Sequence, residues 1–257
     1  MSEISSNQPL GTPTWIDLGV PDLDRAMEFY RALFGWEYEE RSAATGPLTL
    51  CLLRGRRVAA LRSVSAADVA GESWWLPYLA TDDCDAAAKR IVESGGTVPV
   101  PPAEVAGLAR TAVVADPVGA RFGLWQGRTL PGCELVNEPA TLIRNDLTSP
   151  DPEPARRFYA DVFAFTLDGN DDLPGVDFTF LRRPDGHEIG GIIGDATARA
   201  SRWQTLFEVA DTDELVARAV AAGGAAEAPE DTPYGRMAVL TDPFGAAFTV
   251  GARPAAD

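Results

Sequence analysis

Two aspartates, Asp17 and Asp146, stand at the same place in two similar stretches of chain. Each lies in a short apolar run that reads as a buried strand, where a carboxylate is costly unless paired or hydrogen-bonded. Two roles fit them. Either one could hold its sheet by accepting backbone N–H groups or an arginine, and Arg144 shares a strand face with Asp146. Or each could act as a general base, its pKa raised by an apolar surrounding. The other reactive residues are few. The single histidine, His187, falls on the turn PDGHE, and one histidine rules out a multi-histidine metal cage. Cys51, Cys84 and Cys133 are far apart and odd in number, so they make neither a disulfide framework nor a CxxC site. No GxSxG elbow, P-loop or GxGxxG follows a predicted strand.

The elements that must position these residues repeat. PTWIDLGVPDLDRAMEFYRALFGWEY (13–38) matches LIRNDLTSPDPEPARRFYADVFAFTL (142–167) at an offset of 129, pairing Asp17 with Asp146, Phe29-Tyr30 with Phe158-Tyr159, and Trp74 with Trp203 further on. RTAVVADPVGARFGL (110–124) matches RMAVLTDPFGAAFTV (236–250) at an offset of 126. The chain is a tandem duplication: one domain over 11–128, a linker over 129–139 and a second domain over 140–253.

Each half divides again. Ala26, Phe29, Tyr30, Leu33 and Phe34 make one helical stripe after the cap Asp22. Ala155, Phe158, Tyr159, Val162 and Phe163 repeat it after Asp151 and Pro152. Two further helices, near 82–94 and 211–222, end at double glycines. Strand-like runs follow each helix, joined by turns such as ADPVGA and TDPFGA. The order is β-α-β-β-β, four times over, an α+β chain.

Composition narrows the class. The 257 residues carry 38 acidic and 22 basic side chains, a formal charge of -16. That charge repels phosphate backbones and anionic lipid, so neither nucleic acid nor membrane is an expected partner. The polar N-terminus shows no secretory signal, and the cysteine usage suits a reducing compartment, so the expected location is cytoplasmic. Residues 1–128 hold 12 basic and 16 acidic groups, residues 129–257 hold 10 and 22. The halves share a pattern but not a surface.

The strand before PDLDRAMEFYRALFGWEY, the TDDCDAAAKRIVESGG helix, and the closing DPVGARFGLWQ and DPFGAAFTV hairpins resemble the glyoxalase/bleomycin-resistance/extradiol-dioxygenase superfamily, the vicinal oxygen chelate proteins. The resemblance is strongest to two-domain glyoxalase-like proteins of actinobacteria. It implies two tandem glyoxalase-like domains, each of two βαβββ units that form a cup-shaped incomplete barrel. In the family's metal enzymes, His, Gln or Glu side chains in the cup hold a divalent ion. The matching positions here are Trp15, Leu76 and Gly123 in the first half and Arg144, Thr205 and Thr249 in the second, with the runs VAALR and IGGII completing the sets. None is a usable donor, so the expectation is no metal and no cofactor.

Strand alternation then gives the residues that would line the cups. The first holds Trp15, Asp17, Trp74, Leu76, Tyr78, Arg121, Gly123 and Trp125. The second holds Arg144, Asp146, Trp203, Thr205, Phe207 and Thr249. The tryptophans either stack on a planar ligand or simply fill a collapsed cup. The expected function is metal-free small-molecule binding, of a sequestration or resistance type, in a monomer or homodimer. The alternative is a glyoxalase-like lyase or a hydroxylase, related to the dioxygenases, using Asp17 or Asp146. A third is an interaction scaffold with degenerate cups.

Overall fold

In the computed structural model, which describes residues 2–43, 46–65, 73–169 and 175–254, the four predicted units are four consecutive stretches of backbone. The first unit runs β2 (Pro13–Val20), α1 (Leu23–Phe34), β3 (Glu37–Ala43), β4 (Gly46–Leu53) and β5 (Arg56–Ser63). It follows the short β1 (Ser2–Glu3). The second runs β6 (Trp75–Ala80), α2 (Cys84–Glu93), β7 (Thr97–Val105), β8 (Ala109–Ala115) and β9 (Arg121–Gly127). After β10 (Leu135–Val136), the third runs β11 (Leu142–Ser149), α3 (Pro152–Phe163), β12 (Thr166–Gly169), β13 (Asp177–Arg182) and β14 (Glu188–Gly194). The fourth runs β15 (Arg202–Glu208), α4 (Thr212–Ala221), β16 (Ala225–Ala226), β17 (Glu230–Thr232), β18 (Gly235–Thr241) and β19 (Ala247–Ala252). No helix is long and apolar enough to cross a membrane.

Each pair of units makes one sheet. The first has the order β3-β4-β5-β2-β6-β9-β8-β7, the second β12-β13-β14-β11-β15-β19-β18-β16, with β17 paired to β18. Within each unit the first strand runs parallel to the last, and two units meet through an antiparallel pair, β2 with β6 and β11 with β15. Neither sheet closes, so each is an open cup whose concave face is lined by alternate residues.

The helices begin as their capping residues dictate. Asp22, Asp83 and Asp211 each accept from the backbone N–H three residues on. Asp151 does not. Its helix starts with Pro152, and the Ser149 hydroxyl instead accepts from the Asp151 backbone N–H. At the C-terminal ends Gly35 takes the left-handed conformation, whereas Ala164 holds the equivalent place in α3 at φ 57°.

The helix stripes do not pack within their own halves alone. Phe29, Tyr30, Leu33 and Phe34 of α1 join a core with Phe207, Leu240 and Phe248 of the second half. Phe158, Tyr159 and Phe163 of α3 join Leu79, Ile91 and Phe122 of the first. Each core therefore draws on both halves, α1 meeting the fourth unit and α3 the second. The aspartates of the DPxG turns fasten it. The Tyr30 hydroxyl donates to Asp242 at 3.1 Å, and Tyr159 donates to Asp116 at 3.2 Å. Trp75 and Trp203 donate in turn to those tyrosine oxygens. Sequence reading gave these turns a hairpin role only; their buried carboxylates also clamp the halves together.

Candidate functional site: one sealed cup and one open cup

Strand β2 turns Ile16, Leu18 and Val20 toward the helices and Trp15, Asp17 and Gly19 toward the first cup. That cup is filled by its own side chains. Trp15 stacks on Trp125 at 5.0 Å between ring centres, and Tyr78 meets Trp125 edge-on at 5.8 Å. The Tyr78 hydroxyl donates to Asp17 Oδ2 at 2.7 Å. Arg62 donates to the same carboxylate through Nε at 3.1 Å and Nη2 at 3.0 Å, a two-pronged pair. Trp15, Asp17, Leu76, Tyr78 and Trp125 are all buried. Burial, then the nearby Asp17 charge, pushes the Tyr78 phenol well above its ordinary pKa, so it stays a donor.

The segment after β9 closes what remains. The Trp125 indole donates to the Leu130 carbonyl, the Cys133 backbone N–H donates to the Thr14 carbonyl, and the Cys133 thiol donates to the Val58 carbonyl. Leu130, Cys133 and Leu135 are buried against the same aromatic set. The segment predicted as a linker is thus part of the first domain's packing. Burial raises the Cys133 thiol to about 12, which leaves it unreactive.

Two residues assigned to this cup from sequence sit elsewhere. Arg121 is exposed at the start of β9. The base that faces Asp17 is Arg62, on β5. Trp74 stands at the seam between the sheets, bridged to Ala247, with the Arg202 guanidinium 5.2 Å from its ring centre.

The second cup stays open. Arg144 and Asp146 project from β11, and Arg144 Nε lies 2.8 Å from both Asp146 oxygens. Arg144 Nη1 donates to Glu188 on β14. The guanidinium lies 5.6 and 5.7 Å from the ring centres of Phe178 and Phe180 on β13. Across the cup, Gln204 and Leu206 on β15, Met237 and Val239 on β18 and Thr249 on β19 share the concave face and remain half-buried or exposed. Removal of water around Asp146 raises its carboxyl above the ordinary range, against the opposing pull of Arg144. Arg182 on β13 lies 3.7 Å from Glu188 and 5.4 Å from the Phe180 ring centre, so two guanidinium groups face the two carboxylates of this floor. Its unused hydrogen-bonding capacity is that of acceptors, flanked by two aromatic faces.

Thr205, Phe207 and Trp203 do not line this cup. Strand pairing sets Leu18 opposite Trp75 and Leu147 opposite Trp203. Trp203 is thus the counterpart of Trp75, not of Trp74. A one-residue slip turns every side chain to the other face. Thr205 accepts from the Asn145 amide at 2.9 Å, and Phe207 packs against Phe34 and Trp36 in the core. Gln204 and Leu206 take the cup positions. These two, with Phe178, Phe180, Glu188 and Arg62, were missed. The alternation that picks out Asp146 reaches them once the neighbouring strands are in register. His187 is exposed on its turn, where its backbone N–H donates to Asp185.

The donor set does not suit a metal ion. Trp15, Arg144, Leu76, Gly123 and Thr249 stand where the resemblance placed metal ligands, and the observed register puts Gln204, opposite Asp146, in the place given to Thr205. Among the described residues no three His, Cys, Asp or Glu side chains converge. Asp146 and Glu188 share a site with an arginine bonded to both.

Residues 12–124 match the profile of the Glyoxalase/Bleomycin resistance protein/Dioxygenase superfamily, and residues 145–251 match that of a glyoxalase-like domain. A Mycobacterium tuberculosis protein named "Putative glyoxylase CFP32" is 37% identical over 246 residues, covering 93% of this chain and 94% of its own. A Streptomyces peucetius protein named "Anthracycline biosynthesis protein DnrV" is 36% identical over 255 residues, covering 93% and 92%. Among solved structures, the Mn(II)-bound glyoxalase from Novosphingobium aromaticivorans superposes with a TM-score of 0.63 at 18% identity, covering 94% of this chain and 82% of that one. The 2,3-dioxygenase LapB from Pseudomonas sp. KL28 gives 0.63 at 16%, covering 96% and 95%.

Proposed function

Because the chain belongs to the glyoxalase/bleomycin resistance protein/dioxygenase superfamily, whose fold supplies two cups, we propose that it binds a small planar aromatic molecule in the second cup without a metal. One observation carries this reading. The first cup is sealed by Trp15, Tyr78 and Trp125, while the second keeps Phe178, Phe180, Gln204 and Leu206 accessible around the Arg144–Asp146–Glu188 floor. Phe178 and Phe180 offer stacking area, and Asp146 and Glu188 accept from hydroxyl or N–H groups on the ligand rim. The floor's charges are paired with one another, so the ligand is neutral. The name of the Streptomyces relative, an anthracycline biosynthesis protein, supports a polycyclic aromatic class.

A thermal-shift screen of chelator-treated protein against hydroxylated polycyclic aromatics tests the reading. At about 100 times Kd a ligand adds about 2.7 kcal/mol, or roughly 5–10 °C for a chain of this size. No shift with any compound, before or after divalent metals are added, would count against it.

The second reading is a lyase or hydroxylase in which Asp146 moves a proton. It is supported by the raised Asp146 carboxyl and by the name of the mycobacterial relatives. Turnover of a bound compound that Asp146→Asn abolishes, with binding retained, would favour it.

A further inference from the structure

Trp74, which the first cup does not use, turns toward the second. Ala247 pairs with Thr241 of β18 on one side, and the pairing of β15 with β19 starts only at Leu206 and Thr249. The parallel bridge from Ala247 to Trp74 therefore occupies the other side of β19, where β15 and β19 have parted. Residues bridged in a sheet project from the same face, and Ala247 shares a face with Thr249. Trp74 is thus set on the concave face of the second sheet. Arg202 gives the same placement independently. It alternates with Gln204 on β15, so it stands on that face too, and its guanidinium lies over the Trp74 ring, 5.2 Å from the centre. Of the six tryptophans in the chain, the other five are at most 4% exposed, whereas Trp74 is half-buried.

The strand registers run a row of side chains up to this indole. Phe178 pairs with Ile193, Ile193 with Thr148, and Thr148 with Arg202. The next row is Phe180, Gly191, Asp146 and Gln204. Both rows lie on the concave face, with the phenylalanines at one end and Trp74 beyond the other. The Phe178 ring lies down over Gly191, where a Cβ would sit 2.2 Å from it. Strands β14, β11 and β15 separate the two aromatic ends, about 19 Å of sheet at about 4.8 Å per strand, and the curve of the cup shortens that span.

We infer that the first half lends Trp74 to the second cup as a ligand contact, and that the ligand is long enough to reach it. That ligand is a neutral, linear system of three or more fused rings, seated on Phe178 and Phe180 at one end and against the Trp74 indole at the other. The inference rests on the second-cup reading above and deepens it. A shorter molecule meets only one of the two walls. Trp74 therefore sets the length of ligand that the cup prefers, and the site is complete only when both halves are present.

The test titrates the chelator-treated full chain by calorimetry with 2-hydroxyanthraquinone, which has three fused rings, and with 2-naphthol, which has two. The indole N–H resonances of isotope-labelled protein are followed in parallel, with Trp74→Phe assigning that of Trp74. The anthraquinone should shift the Trp74 resonance and leave those of Trp15 and Trp125 in place. Trp74→Ala should weaken the anthraquinone about fivefold or more and 2-naphthol less than about twofold, the retained naphthol affinity showing that the cup is intact. Phe180→Ala should weaken both. An unmoved Trp74 resonance, unchanged anthraquinone affinity in Trp74→Ala, or an equal loss for 2-naphthol would overturn the inference and leave the cup reading standing. No anthraquinone binding, or binding indifferent to Phe180→Ala, would overturn both. The Trp74 resonance of the parent chain decides the matter even where Trp74→Ala fails to fold.

Discussion

The ring of Tyr78 lies over Gly123 so closely that a Cβ at position 123 would sit 1.9 Å from the ring. In the second half Gly123 becomes Thr249 and Tyr78 becomes Leu206. A glycine admits the tyrosine, the tyrosine reaches Asp17, and the first cup closes. Without that pair the second cup remains open, although both grew from the same repeat.

The Asp17–Arg62 pair is expected to be structural. Arg62→Met should lower unfolding stability by about 2 kcal/mol, because Asp17 keeps only Tyr78 as a partner. The double variant Asp17→Leu/Arg62→Met should be more stable than Arg62→Met alone, since no buried charge is left. Urea unfolding of the three chains measures this. Equal stability of the single and double variants would contradict it.

The halves should not fold apart. Phe34, Trp36 and Tyr30 of the first half pack on Phe207 and Phe248 of the second. A chain of residues 1–139 would expose this aromatic surface to water. Expressed alone, it should aggregate or lack sharp near-ultraviolet dichroism, and the full chain should unfold in one cooperative transition. A monomeric, cooperatively folding half would refute this.

Asp116 should make stability depend on pH. Burial lifts its folded-state carboxyl to about 6, above the ordinary value, against hydrogen bonds from Val118, Ala120 and Tyr159. The folded protein therefore holds this proton more tightly than the unfolded chain. The stabilisation is fully present below about pH 4 and is lost as pH rises through about 6. Relative to Asp116→Asn, the parent chain should gain about 2 kcal/mol between about pH 7.5 and about pH 4. Denaturant midpoints of both chains at the two pH values decide it, and a constant difference would contradict it.

Ala164→Gly should stabilise the chain by about 0.5 kcal/mol. Ala164 is exposed and holds a left-handed conformation at φ 57°, which Gly35 occupies without strain in the equivalent helix. The relief exceeds the added flexibility of the unfolded chain. A lower denaturation midpoint would count against this.

Most of the fold was legible because its signals are local. The stripes of α1 and α3, the double glycines after α2 and α4, and the DPxG turns each mark an element without tertiary information. The site was legible only in part, because its geometry depends on register between distant strands. Asp17, Asp146, Arg144 and Trp15 lie on strands whose phase is set by the repeat itself. At Ser73-Trp74-Trp75 the repeat offers two tryptophans to match Trp203, and choosing the wrong one turned Thr205 and Phe207 into the cup. Arg62 and Glu188 lie on strands that pair with those of their aspartates across an intervening helix and two strands, where no spacing rule connects them. The sealing of the first cup depends on how a ring fits over a glycine, which alternation of polar and apolar residues does not encode.

The central claim is that, of the two cups, only the second binds an aromatic ligand, and that it does so without metal. Calorimetric titration of chelator-treated protein with a hydroxylated anthraquinone tests it most directly, beside Phe180→Ala and Trp125→Phe. The account predicts one site, affinity weakened about tenfold or more in Phe180→Ala, and no change in Trp125→Phe. Binding that appears only with added divalent metal, or that follows Trp125 rather than Phe180, would contradict it.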